Sequence, residues 1–142
     1  LILTPQFNTI TEGVMNQKQI IDYWRTEAEE SLGVMTHLFE KKDYSYALFF
    51  GHLAVEKIIK ALFVQNTNQD VPRSHNLLRL AKAAQIETTD QQKLDLVRIT
   101  AFNLEVRYPD YKGNFRKKCT LEFSEIELQK IKKVFSWLKS ML

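Results

Sequence analysis

The sequence is poor in residues that interrupt helices and strands and in residues that cross-link the chain. Its 142 residues include four glycines, three prolines and one cysteine. The scarcity of glycine and proline argues against a fold with many tight turns, and it favours long helices over a β-sandwich. Cys119 has no partner for an intramolecular disulfide, and without a Cys/His cluster a zinc site is not expected. We therefore predict no metal, no cofactor and a reducing, cytoplasmic compartment.

The sequence also lacks long apolar runs, and its first residues do not show the pattern expected of a signal peptide. No stretch of about 18 residues is both apolar and uncharged, so no membrane span is expected. Leu1 to Asn16 lack the basic start and apolar core of a signal peptide. Because they mix Thr, Asn, Pro and Gly with scattered apolar residues, we predict that 1–16 form an N-terminal arm. Residues 17–142 are then long enough for one domain with its own core.

Hydrophobic spacing predicts helices at about 16–40, 43–65, 74–85, 89–108 and 124–142, separated by short turns and a polar connector at 110–120. Ser74 is the expected N-cap of the third helix, and a capping box at Ser124 and Glu127 should open the fifth. The fourth helix is predicted to bury four apolar residues: Leu94, Val97, Ala101 and Leu104. The predicted fold class is all-α, an up-and-down helical bundle of about five helices led by a long antiparallel helix pair.

The second predicted helix carries charges inside an apolar run. His52, Glu56 and Lys60 are spaced i, i+4, i+8 and share one edge, with Lys57 beside them. Charges on a central helix are costly unless they are paired. We therefore expect this edge to lie at a seam, a cleft or an interface.

Positive charge is concentrated at the end of the chain. Residues 112–142 hold eight Lys or Arg and three Asp or Glu, whereas residues 1–111 hold 12 and 14. This asymmetry would suit an anionic partner. It would equally suit a solvated helix face with surplus lysines.

Several short segments occur in an order and spacing that resemble a known family. They are Tyr23-Trp24 with Ala28, Asp43-Tyr-Ser-Tyr-Ala47, Ala54-Val-Glu-Lys-Ile-Ile-Lys-Ala61, Ser74-His-Asn-Leu77 and Arg107-Tyr-Pro-Asp-Tyr111. Over about residues 18–140 the chain resembles the HEPN superfamily, specifically the small prokaryotic members encoded beside a minimal nucleotidyltransferase. The resemblance implies a helical homodimer, often one with metal-independent endoribonuclease activity.

The resemblance also shows a departure from the catalytic signature of that family. The signature is an Arg, four to six residues, and then a His, in the segment that begins here at Arg107. The residues at those spacings are Lys112, Gly113 and Asn114, and no histidine follows His75. The general acid or base of the ribonuclease is therefore missing. We expect a binding module that is not an enzyme on its own.

We predict one anion-binding cleft that combines the second helix with the Arg107 segment. Its proposed nucleotide- or phosphate-binding residues are Arg107, Lys57, Lys60, Tyr108 and Lys112, supported by His52, Glu56, Asp110 and Tyr111. A guanidinium is a planar fork for phosphate oxygens, and the tyrosines offer stacking surfaces. The alternative is structural. Arg107 would pair with Glu105, with Asp110 or with a neighbouring helix. Lys57 and Lys60 would pair with Glu56 and with carboxylates of a dimer mate, and the histidines with backbone carbonyls.

The function predicted from these residues is that of a nucleotide- or RNA-binding homodimer. The resemblance adds a minimal nucleotidyltransferase as its partner in a toxin–antitoxin-like system. A second possibility is a metal-independent endoribonuclease toxin in which Arg107 works with a non-canonical base such as His52. A third is a structural dimerisation scaffold without a ligand.

Overall fold

The computed structural model describes residues 15–142. Within this range the chain forms six helices and no strands. They are α1 (Gln17–Glu40), α2 (Tyr44–Thr67), α3 (Leu77–Ala83), α4 (Asp90–Arg107), α5 (Asn114–Lys118) and α6 (Leu121–Lys139). The predicted all-α bundle is confirmed. Most of the predicted arm at 1–16 lies outside the described residues. No helix in residues 15–142 is long and apolar enough to cross a bilayer.

Helices α1 and α2 form the predicted antiparallel pair. Asn16 caps α1: its side chain accepts the N–H of Gln19, and the Gln19 side chain accepts the N–H of Asn16. This reciprocal pair satisfies two backbone donors that the first helical turn leaves free. Ile20, Trp24 and Met35 are buried from α1 at the predicted period. The turn at 41–43 then brings the chain back along α1.

Helix α2 is the centre of the bundle. It contacts α1, α3, α4, α5 and α6, and its second half is buried on nearly every face. At Gly51 the neighbouring helices come close: an added Cβ would lie 2.6 Å from Ile131 Cδ1 and 2.9 Å from Met35 Sδ. Because no side chain intervenes there, α1 and α6 can both pack directly on the α2 backbone.

The predicted buried face of α4 is wrong. Leu94, Val97 and Leu104 are exposed and Ala101 is half-buried. The residues that α4 buries are Leu96, Ile99, Phe102 and Asn103. The helix has apolar residues on two sides, and the side bearing Ile99 and Phe102 is the one that faces α2, α3 and α6. The other stripe is left on the surface of the chain.

Two predicted helix starts are also corrected. The cap of α3 is Asn76, whose side chain accepts the N–H of Arg79, whereas Ser74 accepts the N–H of Asn76 before the helix begins. The cap of α6 is Thr120, not Ser124. Asn76 and Thr120 each offer a side-chain oxygen at the position where the first turn needs an acceptor.

The predicted capping residues Ser124 and Glu127 are instead buried inside α6. Both oxygens of Glu127 accept hydrogen bonds from Arg98 of α4, and Lys130 lies 3.6 Å away. A buried carboxylate is tolerated when paired in this way, and the pair links α4 to α6. Immediately before α6, Cys119 is buried, and burial raises the pKa of its thiol to about 11 although the nearby Ser124 opposes the shift.

Candidate functional site

After α4 the chain makes a sharp turn at the surface of the protein. Tyr108 ends α4 with φ −129° and ψ 63°, and Pro109 follows. Proline disfavours a helical residue before it, which explains why α4 stops at Arg107 as predicted. Asp110 Oδ1 then accepts the N–H of Asn114 at 3.0 Å, and Gly113 adopts a left-handed φ of 61° before α5. The result is a turn in which residues 107–112 are all exposed.

Basic and aromatic side chains are concentrated on this turn and on α5. Residues 107–118 contain five basic residues and one acidic residue; the basic ones are Arg107, Lys112, Arg116, Lys117 and Lys118. All five are exposed, and none forms an ion pair with a carboxylate of residues 15–142. We call these five cations, together with Tyr46, Tyr108 and Tyr111, the basic–aromatic surface.

Cations and rings lie against each other on this surface. Arg107 Cζ lies 5.9 Å from the ring centroid of Tyr108, and Arg116 Cζ lies 6.0 Å from that of Tyr46. Tyr108 is 72% exposed, and Tyr111 is fully exposed. Exposed rings of this kind have one face free for a further planar group. Arg107, Tyr108, Lys112 and Tyr111, all predicted site residues, are therefore close in the chain and accessible.

A cleft of about 240 Å³ opens beside the turn. Its walls come from the start of α2, the end of α4 and the start of α5. Its lining residues include Tyr46, Glu105, Pro109, Asp110, Tyr111 and Arg116. The cleft thus combines two tyrosine rings, two carboxylates and a guanidinium.

The charged edge of α2 forms a separate, buried polar network centred on Glu56. One Glu56 oxygen lies 2.8 Å from His75 Nδ1 and the other 2.9 Å from Lys60 Nζ. Burial acts to raise the pKa of Glu56, but the charge of Lys60 and the bond from His75 outweigh it and hold that pKa below its ordinary value. Lys60 also lies over the Trp24 ring, 5.1 Å from its centroid.

His52 is the most deeply buried member of this network. It is fully buried, and its Nε2 lies 2.9 Å from the backbone carbonyl oxygen of His75. A carbonyl only accepts, so Nε2 donates and carries the proton, and Nδ1 has no partner within residues 15–142. Burial lowers the pKa of His52, although the nearby Glu56 acts against this. A neutral histidine held by a carbonyl matches the structural alternative given above.

The Lys57 side chain pairs with α1 and not with Glu56. Its Nζ lies 2.9 Å from Ser31 Oγ and 3.6 Å from Glu27, both on α1. Burial lowers the pKa of Lys57, and Glu27 opposes the shift. The expected charge pairing of the α2 lysines therefore occurs within this chain, through Glu27 for Lys57 and Glu56 for Lys60.

The chain does not bring all the predicted site residues together. The Arg107 turn borders the first residues of α2, where Tyr46 lines the cleft. Lys57 follows Tyr46 by eleven residues of helix, about 16 Å along the axis. Lys57 and Lys60 are also buried and already paired. Of the predicted site cations, the exposed ones are therefore Arg107 and Lys112, both on the turn.

Sequence reasoning missed Arg116 and Tyr46 as members of the surface. In the sequence, the run Arg116-Lys117-Lys118 contributes only to the C-terminal excess of charge. Its position after an aromatic, Phe115, was the available signal, since interleaved basic and aromatic residues are typical of nucleic-acid surfaces. Tyr46 carried no such signal, because only the fold places the start of α2 beside α5. No cluster of three or more His, Cys, Asp or Glu able to hold a metal occurs in residues 15–142.

Comparison with known proteins identifies the family. The model of the HEPN domain family matches residues 21–141, nearly the whole described chain. The chain belongs to the HEPN domain family. Its fold is also similar to the crystal structure of TT1696 from Thermus thermophilus, with a TM-score of 0.73 at 17% identity over 90% of this chain and 100% of that one. No protein with a curated description matched the sequence.

The HEPN signature positions can now be located in the structure. Lys112 and Gly113 lie in the exposed turn, and Asn114 begins α5. The HEPN domain therefore presents a lysine and two residues without acid–base groups where the resemblance leads us to expect the histidine. His52, the alternative base considered above, is fully buried.

Proposed function

We propose that this HEPN protein binds single-stranded RNA through the basic–aromatic surface and does not cleave it alone. The single observation that carries the proposal is the set of five exposed cations over residues 107–118, which pair with no carboxylate of residues 15–142 and are interleaved with exposed tyrosines. Cations that pair with no carboxylate of their own chain are available to phosphates. Exposed tyrosine rings next to them supply stacking surfaces that any base can use.

The spread of the cations favours a strand over a free nucleotide. Arg107 and Lys112 lie on the turn, whereas Arg116, Lys117 and Lys118 lie on α5. Arg116 lines the cleft beside Tyr46, and Lys118 lies over Phe123, 5.1 Å from its ring centroid. Several phosphates of one strand would use this arrangement more fully than a single nucleotide would.

Binding is tested by titrating a fluorescently labelled ten-residue oligouridylate and following its anisotropy. We expect Arg107→Ala to weaken binding several-fold and to reduce the salt dependence of the affinity by about one phosphate contact. Lys133→Ala is the matched control, because Lys133 is an exposed, unpaired cation on α6. Equal losses for both variants would indicate that the anion site lies on the C-terminal helix. If the wild type does not bind, the remaining candidate function is the structural dimerisation scaffold.

We further propose that the protein is a homodimer paired through α4. The support is an apolar stripe of exposed Leu94, Val97 and Leu104 with half-buried Ala101, which continues to Tyr108. Its alternating spacing of three and four residues is that of a helix–helix seam. An isologous contact would cover this stripe on both copies at once.

A minimal nucleotidyltransferase is the proposed protein partner, in a toxin–antitoxin-like pair acting in the cytoplasm. This rests on the resemblance of the RYPDY segment and the α2 motif to the small prokaryotic HEPN proteins. The reading frame next to this one is the direct check. A nucleotidyltransferase encoded there should co-purify with this protein when the two are expressed together, and a pair that elutes separately would contradict the proposal.

A further inference from the structure

The cleft beside the basic–aromatic surface has the composition of a site for one base. Its volume of about 240 Å³ is below the range of about 300–1,000 Å³ that drug-sized ligands occupy. Tyr46 enters from α2 and Tyr111 from the turn after α4. Both rings have exposed surface, so a base that entered the cleft would find an aromatic face to stack on.

Two carboxylates, those of Asp110 and Glu105, lie among the polar groups of the cleft. Asp110 uses one oxygen to hold the N–H of Asn114 at the start of α5. Glu105 has no hydrogen-bond or ion-pair partner within residues 15–142, although it is exposed at the cleft wall. Neither carboxylate is neutralised by Arg107, contrary to the pairing considered from the sequence. A carboxylate left free inside a basic surface would weaken phosphate binding, so its presence there calls for a donor on the ligand.

A free carboxylate distinguishes between the four RNA bases. Guanine presents two adjacent donors, the N1–H and the 2-amino group, which match the two oxygens of a carboxylate. Adenine and cytosine each place an acceptor next to their amino group, and uracil flanks its single N–H with two carbonyls. These acceptors would face the negative charge of Glu105. Only guanine offers a bidentate match.

We infer that the cleft is a guanine subsite, in which Glu105 reads the base edge, Tyr46 and Tyr111 stack on its face, and Arg116 binds an adjoining phosphate. Arg116 lines the same cleft while its guanidinium lies over Tyr46, so a phosphate bound there would be next to the stacked base. This inference rests on the proposed RNA binding and adds a base preference to it. The RNA preferred by this protein is then a single strand with an accessible guanine.

The test compares labelled nine-residue RNAs that differ at one position. Uridine oligomers carry guanine, adenine, hypoxanthine or uracil at the centre, and their affinities are measured by anisotropy under one salt condition. We expect guanine to be preferred over adenine by about tenfold, within the range typical of a bidentate base contact. Hypoxanthine, which lacks the 2-amino group, should lose most of that preference.

The Glu105→Gln variant assigns the preference to one side chain. Glutamine replaces one acceptor oxygen with a donor, so we expect the guanine-to-adenine ratio to fall close to one. Glu125→Gln removes an exposed carboxylate from α6 and should keep the wild-type ratio. Because the readout is a ratio, a general gain in affinity from removing negative charge does not affect it. A preference that survives in Glu105→Gln would overturn the assignment.

The two proposals fail in different ways. Binding of all four oligomers with equal affinity would overturn the guanine subsite and leave RNA binding intact. Absence of binding to every oligomer would overturn both. Guanosine monophosphate is included as a competitor. We expect it to bind far more weakly than the guanine-containing oligomer, because its single base and single phosphate can contact only part of the basic–aromatic surface. Equal affinity for the two would show that the ligand is a free guanine nucleotide.

Discussion

At the scale of single residues, Glu56 determines how charges are accommodated inside the bundle. The sequence predicted that the α2 charges would need partners, and Lys60 is the i+4 partner expected on a helix. It did not predict His75, because that residue comes from the loop after α2 and meets Glu56 only when α3 packs back. The partner of Lys57 was also hidden, since Ser31 is an ordinary polar residue in the sequence of α1. Residue type thus indicated the need for pairing, and the fold decided the partners.

The buried His52 makes the stability of the protein sensitive to mild acid. Its pKa is lowered in the folded chain, so below about pH 6.5 the unfolded chain binds a proton that the folded chain does not. The free energy of unfolding should therefore fall as the pH drops from 7 to 5.5, by at most about 1.4 kcal/mol per pH unit for this one group. Glu56, whose pKa is also lowered, adds to the loss only as the pH falls through the ordinary carboxyl range. The lowered pKa of Lys57 makes stability rise with pH, but only on the alkaline side.

Urea unfolding at pH 7.0, 6.25 and 5.5 measures this dependence. His52→Gln keeps a donor near the His75 carbonyl without a titrating ring, so its pH dependence should be flatter than that of the wild type. His37→Gln, on the exposed side of α1, is the control and should keep the wild-type slope. The groups facing His52 are Glu56, Lys60 and His75, and all three remain in the variant. An unchanged slope in His52→Gln would show that another group dominates.

At the scale of the elements, α4 shows where periodicity stops being informative. Leu94, Val97, Ala101 and Leu104 form a clean stripe, yet Leu96, Ile99 and Phe102 form a second one, and the core takes the second. Nothing within α4 ranks the two stripes, because both are apolar at helical spacing. Helices α1 and α2 were predicted within a few residues, since α1 has one apolar stripe and α2 one continuous apolar run. The start of α6 was misplaced because Ser124 and Glu127 mimic a capping box while lying inside the helix.

The exposed stripe predicts how the oligomeric state responds to substitution. Leu104→Glu should convert the proposed homodimer to a monomer without unfolding it, because Leu104 is 55% exposed in the single chain. Leu121→Glu is the matched control: Leu121 is 50% exposed at the start of α6 and lies outside the stripe. Light scattering at tens of micromolar reports the mass, and circular dichroism reports the fold. A wild-type monomer, or a Leu104→Glu dimer, would rule out pairing through this stripe.

At the scale of the whole molecule, the fold divides the predicted site in two. The all-α bundle and the end of α4 before Pro109 followed from the sequence, since helix spacing and proline act locally. The predicted cleft that joins the Arg107 turn to Lys57 and Lys60 is not found within the described chain. It depended on the relative positions of helices, which short-range patterns do not encode. The bundle keeps the α2 charges inside as a structural network, and it leaves the cations of the turn and α5 outside.

This division bears on catalysis. The basic–aromatic surface contains no histidine, and His52 is buried beneath the surface among α2 and the loop before α3. We therefore expect no detectable cleavage when the purified protein is incubated with total RNA in the presence of a chelator. The loss of a general acid or base reduces rates by about 10²–10⁴-fold. Cleavage that disappears in Arg107→Ala would instead establish the metal-independent endoribonuclease.

The single cysteine has a practical consequence for following these equilibria. Only the thiolate reacts with alkylating dyes, and a thiol with a pKa of about 11 is ionised in about one molecule in ten thousand at pH 7. Cys119 is also buried before α6, so its labelling should be slow on both counts. A second cysteine introduced at an exposed position such as Lys133 can then carry the dye without removal of the native one. Subunit exchange in the proposed homodimer can then be measured between donor- and acceptor-labelled copies whose core is otherwise unaltered.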